Sequence, residues 1–380
     1  MSKPDPSSRQ SPAQTNLNII PFTTQDIPSI HGIWSAALPA YPISQETLAA
    51  LLPQENGQHW IARVKRNDED QDKGGDEDRD KPVGFCLVYT AKHLDLKSYK
   101  APKVYIAAIA VLPEFQDKGI GTALLNAACD ATEAGFRKVE IGSSFPRFWP
   151  GIPVEGPSVV SGSVSGSGSG LDLAGEQGAN SERSALSFFV NRGFCLNPDP
   201  PRSVDLYRDI RSFSLTEEGS GNGYAARAHE AGYTFAPLGP DGYEECLARQ
   251  RRNFGDNPDW VNMYVQLDPS LHPSSIMTAF DSTSNQVGWT LMLGPSSTNL
   301  QTNWAMPSIC GPKTGLIGCV GIDEGHRKSG VGIALVAHAL NDMKNRGVEG
   351  VFVDWVALEG FYERVGFEVW AKYRTGEIIP

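Results

Sequence analysis

The sequence predicts two successive α/β domains of the same kind, because one strand–loop–helix–strand unit occurs twice along the chain. The unit covers residues 104–141 in the first half and residues 315–353 in the second. Each copy opens on an apolar run rich in β-branched residues, which is typical of a strand buried on both faces. Each run leads through a short polar loop ending Gly-x-Gly into a helix with an apolar stripe. We expect these helices to end near Gly135 and Gly347.

The repeat continues past the helix and places a long insert inside the first copy. The segment 187–194 (SFFVNRGF) matches 360–367 (GFYERVGF), and both are typical of a short helix that a glycine ends before a strand. From the loop to the end of this match the first copy takes 75 positions and the second takes 37. The excess corresponds to a proline-rich aromatic segment at 145–153 and a Gly/Ser-rich stretch at 155–180.

Composition supports two packed domains with flexible inserts. The chain has 380 residues, of which 40% are apolar, and this excludes a wholly disordered protein. The stretch 67–80 carries eight acidic residues and no apolar one, while half of 155–180 is Gly or Ser. We therefore predict a disordered tail at 1–16, a first domain at 17–212 with flexible inserts at 67–80 and 155–180, a linker at 213–230 and a second domain at 231–380.

Charge and residue usage exclude several classes of function. The net charge is −11, which disfavours sequence-independent binding to the phosphates of nucleic acids. No apolar run approaches the ~20 residues that cross a bilayer, and residues 1–15 lack the apolar core of a secretory signal. We expect a cytoplasmic protein, with the nucleus as a second location. Six cysteines without a Cys-x-x-Cys pair, and seven histidines without metal-ligand spacing, predict neither a disulfide frame nor a metal.

The two Gly-x-Gly loops carry the clearest chemical signal. They read QDKGIG at 116–121 and RKSGVG at 327–332. A strand, a glycine turn and a helix start bring several backbone N–H groups to one point, where the helix dipole also favours an anion. The loops lack the spacing of a dinucleotide fold and of a P-loop. One Gly-x-Gly alone is typical of a tight turn, but two copies in the same context predict a pyrophosphate cradle.

The loops also carry a family resemblance. The pattern Gln/Arg-x-x-Gly-x-Gly between a strand and a helix resembles the coenzyme A signature of the GNAT superfamily of N-acetyltransferases. Residues 111–121 (VLPEFQDKGIG) are similar to that signature, and 361–367 (FYERVGF) to the closing helix and strand of the fold. The resemblance implies two tandem GNAT-like folds, each a mixed, mostly antiparallel sheet flanked by helices. It also implies that the fourth and fifth strands splay apart around acetyl-CoA.

The resemblance implies that acetyl-CoA contacts both loops and the strands before them. The implied contacts are Val320, Gly321, Ile322, Arg327, Lys328, Ser329, Gly330, Val331 and Gly332 in the second half, and Ile109, Ala110, Val111, Gln116, Asp117, Lys118, Gly119, Ile120 and Gly121 in the first. The implied reaction is direct transfer of the acetyl group to an amine. The backbone of Gly321 and Ile322 is expected to stabilise the carbonyl oxygen as it gains charge.

Two residues of the second half are candidate catalysts. Tyr362 matches the tyrosine that often protonates the departing thiolate in this family, and its counterpart in the first half is Phe189, which has no proton to give. Asp354 ends the fifth strand of the second half, where a base could reach the acceptor, and its counterpart is Gly142. The alternatives are a core aromatic for Tyr362 and a helix N-cap over 355–365 for Asp354.

The second half is therefore the expected enzyme. Neither fourth strand carries the glutamate that many family members use as the base. The first loop is nearer to the family signature, so the first half either binds acetyl-CoA without using it or works with another acid.

Candidate acceptor contacts are Trp149, in the proline-stiffened segment 144–153, and Trp260 and Tyr264, in 257–264. The alternative for these aromatics is domain packing. The 144–153 segment is similar to one in acetyltransferase modules beside β-N-acetylhexosaminidases, which favours an amino sugar as the acceptor. Two other functions stay open: a non-catalytic acetyl-CoA-binding protein, and a protein or peptide N-acetyltransferase. The sequence gives no oligomeric state.

Overall fold

A computed structural model describes residues 17–65, 80–90, 103–130, 138–142, 145–157, 185–197, 203–215 and 222–378. The predicted tail, most of both predicted inserts and the predicted helix end at Gly135 lie outside these residues. The structure consists of two mixed sheets with helices packed on them.

The helices are α1 (Ile27–Ala37), α2 (Gln45–Leu51), α3 (Ile120–Asp130), α4 (described over 185–190), α5 (Asn222–Glu230), α6 (Tyr243–Phe254), α7 (Pro258–Val265), α8 (His272–Ser275), α9 (Thr298–Asn303) and α10 (Val331–Asn345). The strands are β1 (Leu17–Pro21), β2 (Trp60–Val64), β3 (Lys81–Thr90), β4 (Val104–Val111), β5 (Val139–Ile141), β6 (Ile152–Glu155), β7 (Cys195–Leu196), β8 (Ser203–Asp209), β9 (Thr234–Pro237), β10 (Ile276–Phe280), β11 (Gln286–Leu293), β12 (Thr314–Ile322), β13 (Gly350–Val356), β14 (Glu368–Arg374) and β15 (Gly376–Ile378).

Both sheets are mostly antiparallel, as the resemblance implies. The first has the strand order β1-β2-β3-β4-β5-β15-β7, and the second has the order β6-β14-β8-β13-β12-β11-β10-β9. Within each sheet one pair of strands runs parallel, β4 with β5 and β12 with β13. The predicted class of two mixed α/β folds is confirmed.

The two halves exchange strands. β15, at the carboxyl end of the chain, lies in the first sheet, where Glu377 pairs with Glu140 on one side and with Cys195 on the other. In return, β8 of the first half lies in the second sheet, where Leu206 pairs with both Val353 and Val369. The division at 213–230 therefore describes the sequence repeat and not the sheets. Part of that predicted linker is α5, which packs along α10.

Helix α10 shows why the repeated unit folds as predicted. Nine of its fifteen residues are buried, since it packs on the second sheet on one side and on α5 on the other. It ends at Asn345, two residues before Gly347, whose φ is +86°. There the Val348 N–H donates to the Met343 carbonyl at 3.1 Å and the Gly347 N–H to the Lys344 carbonyl at 2.9 Å. This pattern satisfies the last carbonyls of the helix and confirms the predicted end near Gly347.

One apolar core is shared by the two halves. The ring of Tyr41 contacts Trp370 at 6.1 Å between centroids, and Phe145 contacts Trp304 at 5.1 Å. The backbone of Arg147 also bonds the second half, because its N–H donates to Asn303 at 2.7 Å and its carbonyl accepts from the Ala305 N–H at 2.9 Å. The segment 145–149 of the first half therefore lies against the second half.

The six cysteines form no disulfide. Among the residues that the structure describes, no cluster of histidine, cysteine and carboxylate side chains could hold a metal ion. In the same residues, no helix is both long and apolar enough to span a membrane.

Candidate active site

A gap opens between the two parallel strands of the second sheet and is called the second gap. β12 and β13 pair only over 314–316 and 350–352, and then separate, β12 staying with β11 and β13 with β8. The predicted splay of the fourth and fifth strands is therefore present in the second half. In the first half all three residues of β5 pair with β4, and β4 alone continues to Val111.

Both strands that border the second gap contain a bulge at a residue with left-handed backbone. In β12 the register shifts between Leu291 and Trp289 on its partner, and Cys319 has a φ of +50°. In β13 the register shifts between Val353 and Val356, and Trp355 has a φ of +47°. Such conformations cost free energy in residues other than glycine and are concentrated at functional sites. The strain here lies on the two strands that face the gap.

The Gly-x-Gly loops have the same backbone conformation in both halves. Each begins with a 3-10 turn, and its second motif residue and first glycine are left-handed, with φ values of +58° and +81° at Asp117 and Gly119 and of +65° and +87° at Lys328 and Gly330. The helix starts at the next residue. Since the first N–H groups of a helix have no intrahelical acceptor, each loop presents them to an anion.

The first residue of each motif holds its loop in place. Gln116 donates from Nε2 to the Val111 carbonyl, and Arg327 donates from Nε to the Ile322 carbonyl, each at 3.0 Å. The side chains of residues 116–118 and 327–329 are exposed, whereas Ile120 and Val331 are buried. No atom lies within 4 Å of where a Cβ on Gly119 would stand, and at Gly330 the nearest is Cδ1 of Tyr224 at 3.4 Å. Both loops thus fit the pyrophosphate of a coenzyme A thioester, with backbone N–H groups as its donors.

Tyr362 lies at the second gap in a 3-10 turn and is 8% exposed. Burial raises the pKa of its hydroxyl, and the neighbouring Cys319 thiol and Asp354 carboxylate raise it further. The phenol is therefore a neutral proton donor at physiological pH. None of the described residues forms a hydrogen bond with this hydroxyl. Tyr362 also belongs to a buried apolar cluster of the second half, as the core-aromatic alternative expects.

Asp354 lies in the bulge of β13. Its Oδ2 accepts hydrogen bonds from Nε1 of Trp304 at 2.9 Å and from Arg147, with which it forms a buried ion pair. The alternative that Asp354 caps a helix over 355–365 is wrong, because this stretch continues β13 and a loop before the 3-10 turn at Tyr362–Val365. The carboxylate is used in a contact between the two halves instead.

Asp205, on β8, is a site residue that the sequence did not reveal. It is 1% exposed, its Oδ1 accepts the Trp355 N–H at 2.9 Å, and its Oδ2 accepts the Tyr373 hydroxyl at 2.8 Å. Burial and the charge of Asp354 raise the pKa of Asp205 to about 7. A single aspartate in an alternating strand gives no sequence signal of this kind, since its neighbours come from the other half of the chain.

Two predicted acceptor contacts flank the bulge of β12. Tyr264 is fully buried and donates its hydroxyl to the Cys319 carbonyl at 2.9 Å. Trp260 stacks on Phe254 at 4.8 Å and donates from Nε1 to Oε1 of Gln250 at 2.9 Å. The rings of Phe254 and Trp260 cover Gly321, because a Cβ on this glycine would lie 2.5 Å from Phe254 and 3.4 Å from Trp260.

The third predicted acceptor contact, Trp149, lies in the shared core. It is 5% exposed and stacks on Trp34 at 5.2 Å and 9°. The backbone of its segment fills the space directly after β5, because a Cβ on Gly142 would lie 2.5 Å from the Trp149 carbonyl oxygen and 2.6 Å from the Gly151 nitrogen. The place that Asp354 takes in the second half is thus filled by backbone in the first.

The comparisons with known proteins agree with this geometry. The model of the acetyltransferase (GNAT) family matches residues 30–145 and 269–367, one region in each half. These regions make up more than half of the chain, so the protein belongs to the GNAT acetyltransferase family. No curated protein sequence matches the chain.

Several solved structures of GNAT proteins are similar over nearly the whole of this chain. One is described as a GCN5-related glucosamine N-acetyltransferase region in a fungal multi-domain GH3 β-N-acetylglucosaminidase, with a TM-score of 0.76 and 23% identity, covering 96% of this chain and 38% of that one. A GCN5-related N-acetyltransferase from Sphaerobacter thermophilus has a TM-score of 0.59 and 17% identity, covering 96% of both chains. A tandem GNAT protein from the clavulanic acid biosynthesis pathway has a TM-score of 0.56 and 16% identity, covering 96% of this chain and 98% of that one. At these identities the similarity shows the fold alone.

Proposed function

We propose that the protein is an N-acetyltransferase that transfers the acetyl group of acetyl-CoA directly to the amine of a small molecule, in the gap between β12 and β13. The observation that carries this proposal is that three functional groups border the same gap. The helix-start loop of α10, the neutral hydroxyl of Tyr362 and the carboxylate of Asp354 all border this gap.

Binding rests on backbone groups. The N–H groups at the start of α10 would hold the pyrophosphate, with Arg327, Lys328 and Ser329 around it on the exposed loop. Arg327 keeps this loop in shape through its bond to the Ile322 carbonyl. The strand residues Val320, Gly321 and Ile322 would lie along the rest of the molecule, as the family resemblance implies.

The residues of the gap suit the proton transfers of the reaction. Acetyl-CoA supplies an activated thioester, so the chain needs only to orient the amine, remove its proton and return a proton to the sulfur. Asp354 would accept the proton from the amine, directly or through water. The N–C bond then forms, the C–S bond breaks, and Tyr362 gives its proton to the sulfur.

The gap acts on both partners of this last transfer. Burial raises the pKa of the Cys319 thiol well above its usual range in the same place, and it raises the pKa of the Tyr362 hydroxyl as well. A thiolate released into these apolar surroundings would be poorly solvated, and it would therefore bind a proton more strongly than it does in water.

The second half is the proposed catalyst. In the first half Phe189 replaces Tyr362, and Gly142, closed over by the backbone of 149–151, replaces Asp354. The loop at 116–121 keeps the backbone of its counterpart, so the first half is proposed to bind acetyl-CoA without using it.

An amino sugar is the proposed acceptor. One support is the neighbour of TM-score 0.76, which is described as a glucosamine N-acetyltransferase region. Another is the aromatic and carboxylate lining of the site, which suits a cationic amine on a ring.

The test is release of coenzyme A by the full chain from acetyl-CoA, separated by chromatography, with glucosamine, galactosamine, amino acids and a basic peptide as acceptors. We expect glucosamine to raise the rate well above hydrolysis in buffer. Acetyl-CoA binding with no release for any acceptor would instead favour the non-catalytic alternative. Release with the peptide alone would favour protein acetylation.

A further inference from the structure

Trp355 is an exposed aromatic held in a strained conformation beside the proposed site. Its side chain is 41% exposed and its φ is +47°. The conformation is held by Asp205, whose Oδ1 accepts the Trp355 N–H at 2.9 Å, and Asp205 is itself held by the Tyr373 hydroxyl at 2.8 Å. The buried carboxylate of Asp205 thus holds the backbone of Trp355 in place, although the indole itself is partly exposed.

A residue of the first half, Arg147, lies beside the indole of Trp355. The guanidinium of Arg147 lies 4.9 Å from the ring of Trp355 and 4.2 Å from that of Phe145. Arg147 is 8% exposed, and its buried Nε has no hydrogen-bond partner among the described residues. Its ion pair with Asp354 sets the carboxylate beside the indole.

Only one of the two carboxylate oxygens of Asp354 accepts hydrogen bonds from the described residues. Its hydrogen bonds from Arg147 and Trp304 both go to Oδ2, and no described residue donates to Oδ1. Oδ1 is not among the side-chain atoms that are closed off from solvent without a partner, so it is the oxygen of Asp354 that a ligand can reach. An ammonium group placed there would add a charge-assisted hydrogen bond.

The charge of the place favours a cation. Asp205, Asp354 and Arg147 line one tightly packed space with no room for a water molecule, so the carboxyl groups of two aspartates face a single guanidinium. Their proximity is felt by Asp205, whose pKa is raised to about 7 by burial and by Asp354. An added ammonium group would relieve this repulsion, whereas an added anion would increase it.

We propose that Trp355 and Oδ1 of Asp354 form the acceptor subsite of the second half, taking a hydroxylated ring that bears a cationic amine, of hexosamine size. The exposed face of the indole stacks on the apolar face of the ring, and Asp354 binds the ammonium group. Arg147 and Asp205 are the positioning residues. This subsite rests on the proposed acetyl transfer and is complete only with Arg147 of the other half.

The test measures binding rather than turnover, so that it stands apart from the proposed activity. Glucosamine, glucose and cyclohexylamine are titrated into the full chain saturated with coenzyme A, followed by calorimetry or ligand-observed NMR. The three probes separate the amine from the hydroxylated ring. The intact protein is expected to bind glucosamine more tightly than either of the other two.

Two variants separate the two contacts. Trp355→Gly removes the indole while keeping a residue that favours the left-handed backbone, and it should weaken both sugars about tenfold. Asp354→Asn keeps the shape and removes the charge, so it should weaken glucosamine about 10- to 100-fold and glucose little. Leu358→Gly is the matched control, since Leu358 is 67% exposed in the loop that follows β13, and it should change neither.

The outcomes are distinguishable. Equal binding of glucosamine and glucose, or unchanged binding in Trp355→Gly, overturns the subsite. Circular dichroism of each variant excludes loss of fold as the cause of weaker binding. If glucosamine binds as expected but is never acetylated, the subsite stands and the proposed function fails. If Trp355→Gly acetylates glucosamine with the KM of the intact protein, the function stands and the subsite fails.

Discussion

Phe189 and Tyr362 occupy equivalent places in the two halves and differ by one hydroxyl group. Phe189 contacts Phe188 at 5.1 Å and 89° and Phe194 at 5.2 Å and 75°. Tyr362 contacts Phe361 at 4.9 Å and 85° and Phe367 at 5.8 Å and 75°. The surrounding rings are thus conserved between the halves in kind and in geometry. The hydroxyl is therefore the simplest difference by which one half could catalyse and the other not.

Tyr362→Phe should slow acetyl transfer while leaving acetyl-CoA binding nearly unchanged. The ring and its edge contacts remain, and only the proton donor is lost, so we expect a decrease in kcat of about 10²–10⁴-fold. The measurement is steady-state release of coenzyme A together with calorimetric titration of acetyl-CoA. Phe189→Tyr is the matched control and should leave kcat as it is. Full activity in Tyr362→Phe would mean that another group protonates the sulfur.

The two loops can be tested as acetyl-CoA sites with one pair of variants. Ser329 and Lys118 hold the same motif position, both exposed. Ser329→Glu and Lys118→Glu each place a carboxylate beside the cradle, where it should repel the pyrophosphate. Calorimetry should show two molecules of acetyl-CoA per chain, with one weakened about tenfold or more in each variant. Only Ser329→Glu should lower activity. Loss of activity in Lys118→Glu alone would assign catalysis to the first half.

Most of the Gly/Ser-rich insert should be dispensable for folding. Glu155 is excluded from the deletion, because it ends β6 and forms an ion pair with Lys372 at 2.8 Å. Deletion of 158–180 should change the free energy of unfolding by only ~1 kcal/mol, since loop-closure entropy varies slowly with length. Thermal and urea unfolding of the two chains is the measurement. A fall in Tm of many degrees would show that the insert packs against the protein.

Asp205 should make stability depend on pH between about 4 and 7. Its pKa is raised from 3.8 to about 7 in the folded chain, so the folded state holds a proton that the unfolded state has lost in this window. Stability from this group is therefore full at low pH and decreases as pH rises to about 7, by at most ~1.4 kcal/mol per pH unit.

Asp205→Asn should remove that dependence. The free energy of unfolding is measured by urea titration at pH 5, 6 and 8. As pH rises, the wild type should lose stability relative to Asp205→Asn. Groups such as His59, whose pKa burial lowers to about 4, act alike in both chains and cancel. A difference that does not vary with pH would show that Asp205 ionises normally.

Removal of β15 should destabilise the first sheet, although it is the last strand of the second half. Its three residues pair with β5 on one side and two of them with β7 on the other. Deletion of 376–380 should lower the free energy of unfolding by roughly 3 kcal/mol or more, at about 1 kcal/mol per hydrogen bond with the lost packing added. Deletion of 379–380 is the control. Hydrogen exchange should show the loss at 139–141, and protection retained there would contradict the prediction.

The sequence predicted those elements of the fold that depend on residues close together in the chain. Two apolar strands, the loops 116–121 and 327–332 and the amphipathic helices after them follow from periodicity and glycine placement, and their matched φ values agree with the repeat. The sequence did not predict which sheet β8 and β15 would join. Strand pattern depends on neighbours along the chain, but pairing depends on residues more than a hundred positions away.

The candidate site was predicted less completely for the same reason. Tyr362 was proposed from the family resemblance and Asp354 from its place at the end of a strand, and the repeat supplied Phe189 and Gly142 as their counterparts. Asp205 and Arg147 have no such marker, since their roles arise only where the two halves meet. The left-handed backbone of Trp355 was not predicted either, because the residues next to it in the sequence give no sign of a bulge opposite Asp205.

The exchanged strands also bear on how such a protein can evolve. In form the chain is a domain-swapped dimer whose two subunits have become one polypeptide, each completing the other's sheet. A copy that lost its proton donor or its carboxylate after duplication could not then be deleted, because its partner would lose β8 with it. The survival of a half carrying Phe189 and Gly142 therefore requires no catalytic explanation: the second sheet cannot be built without it.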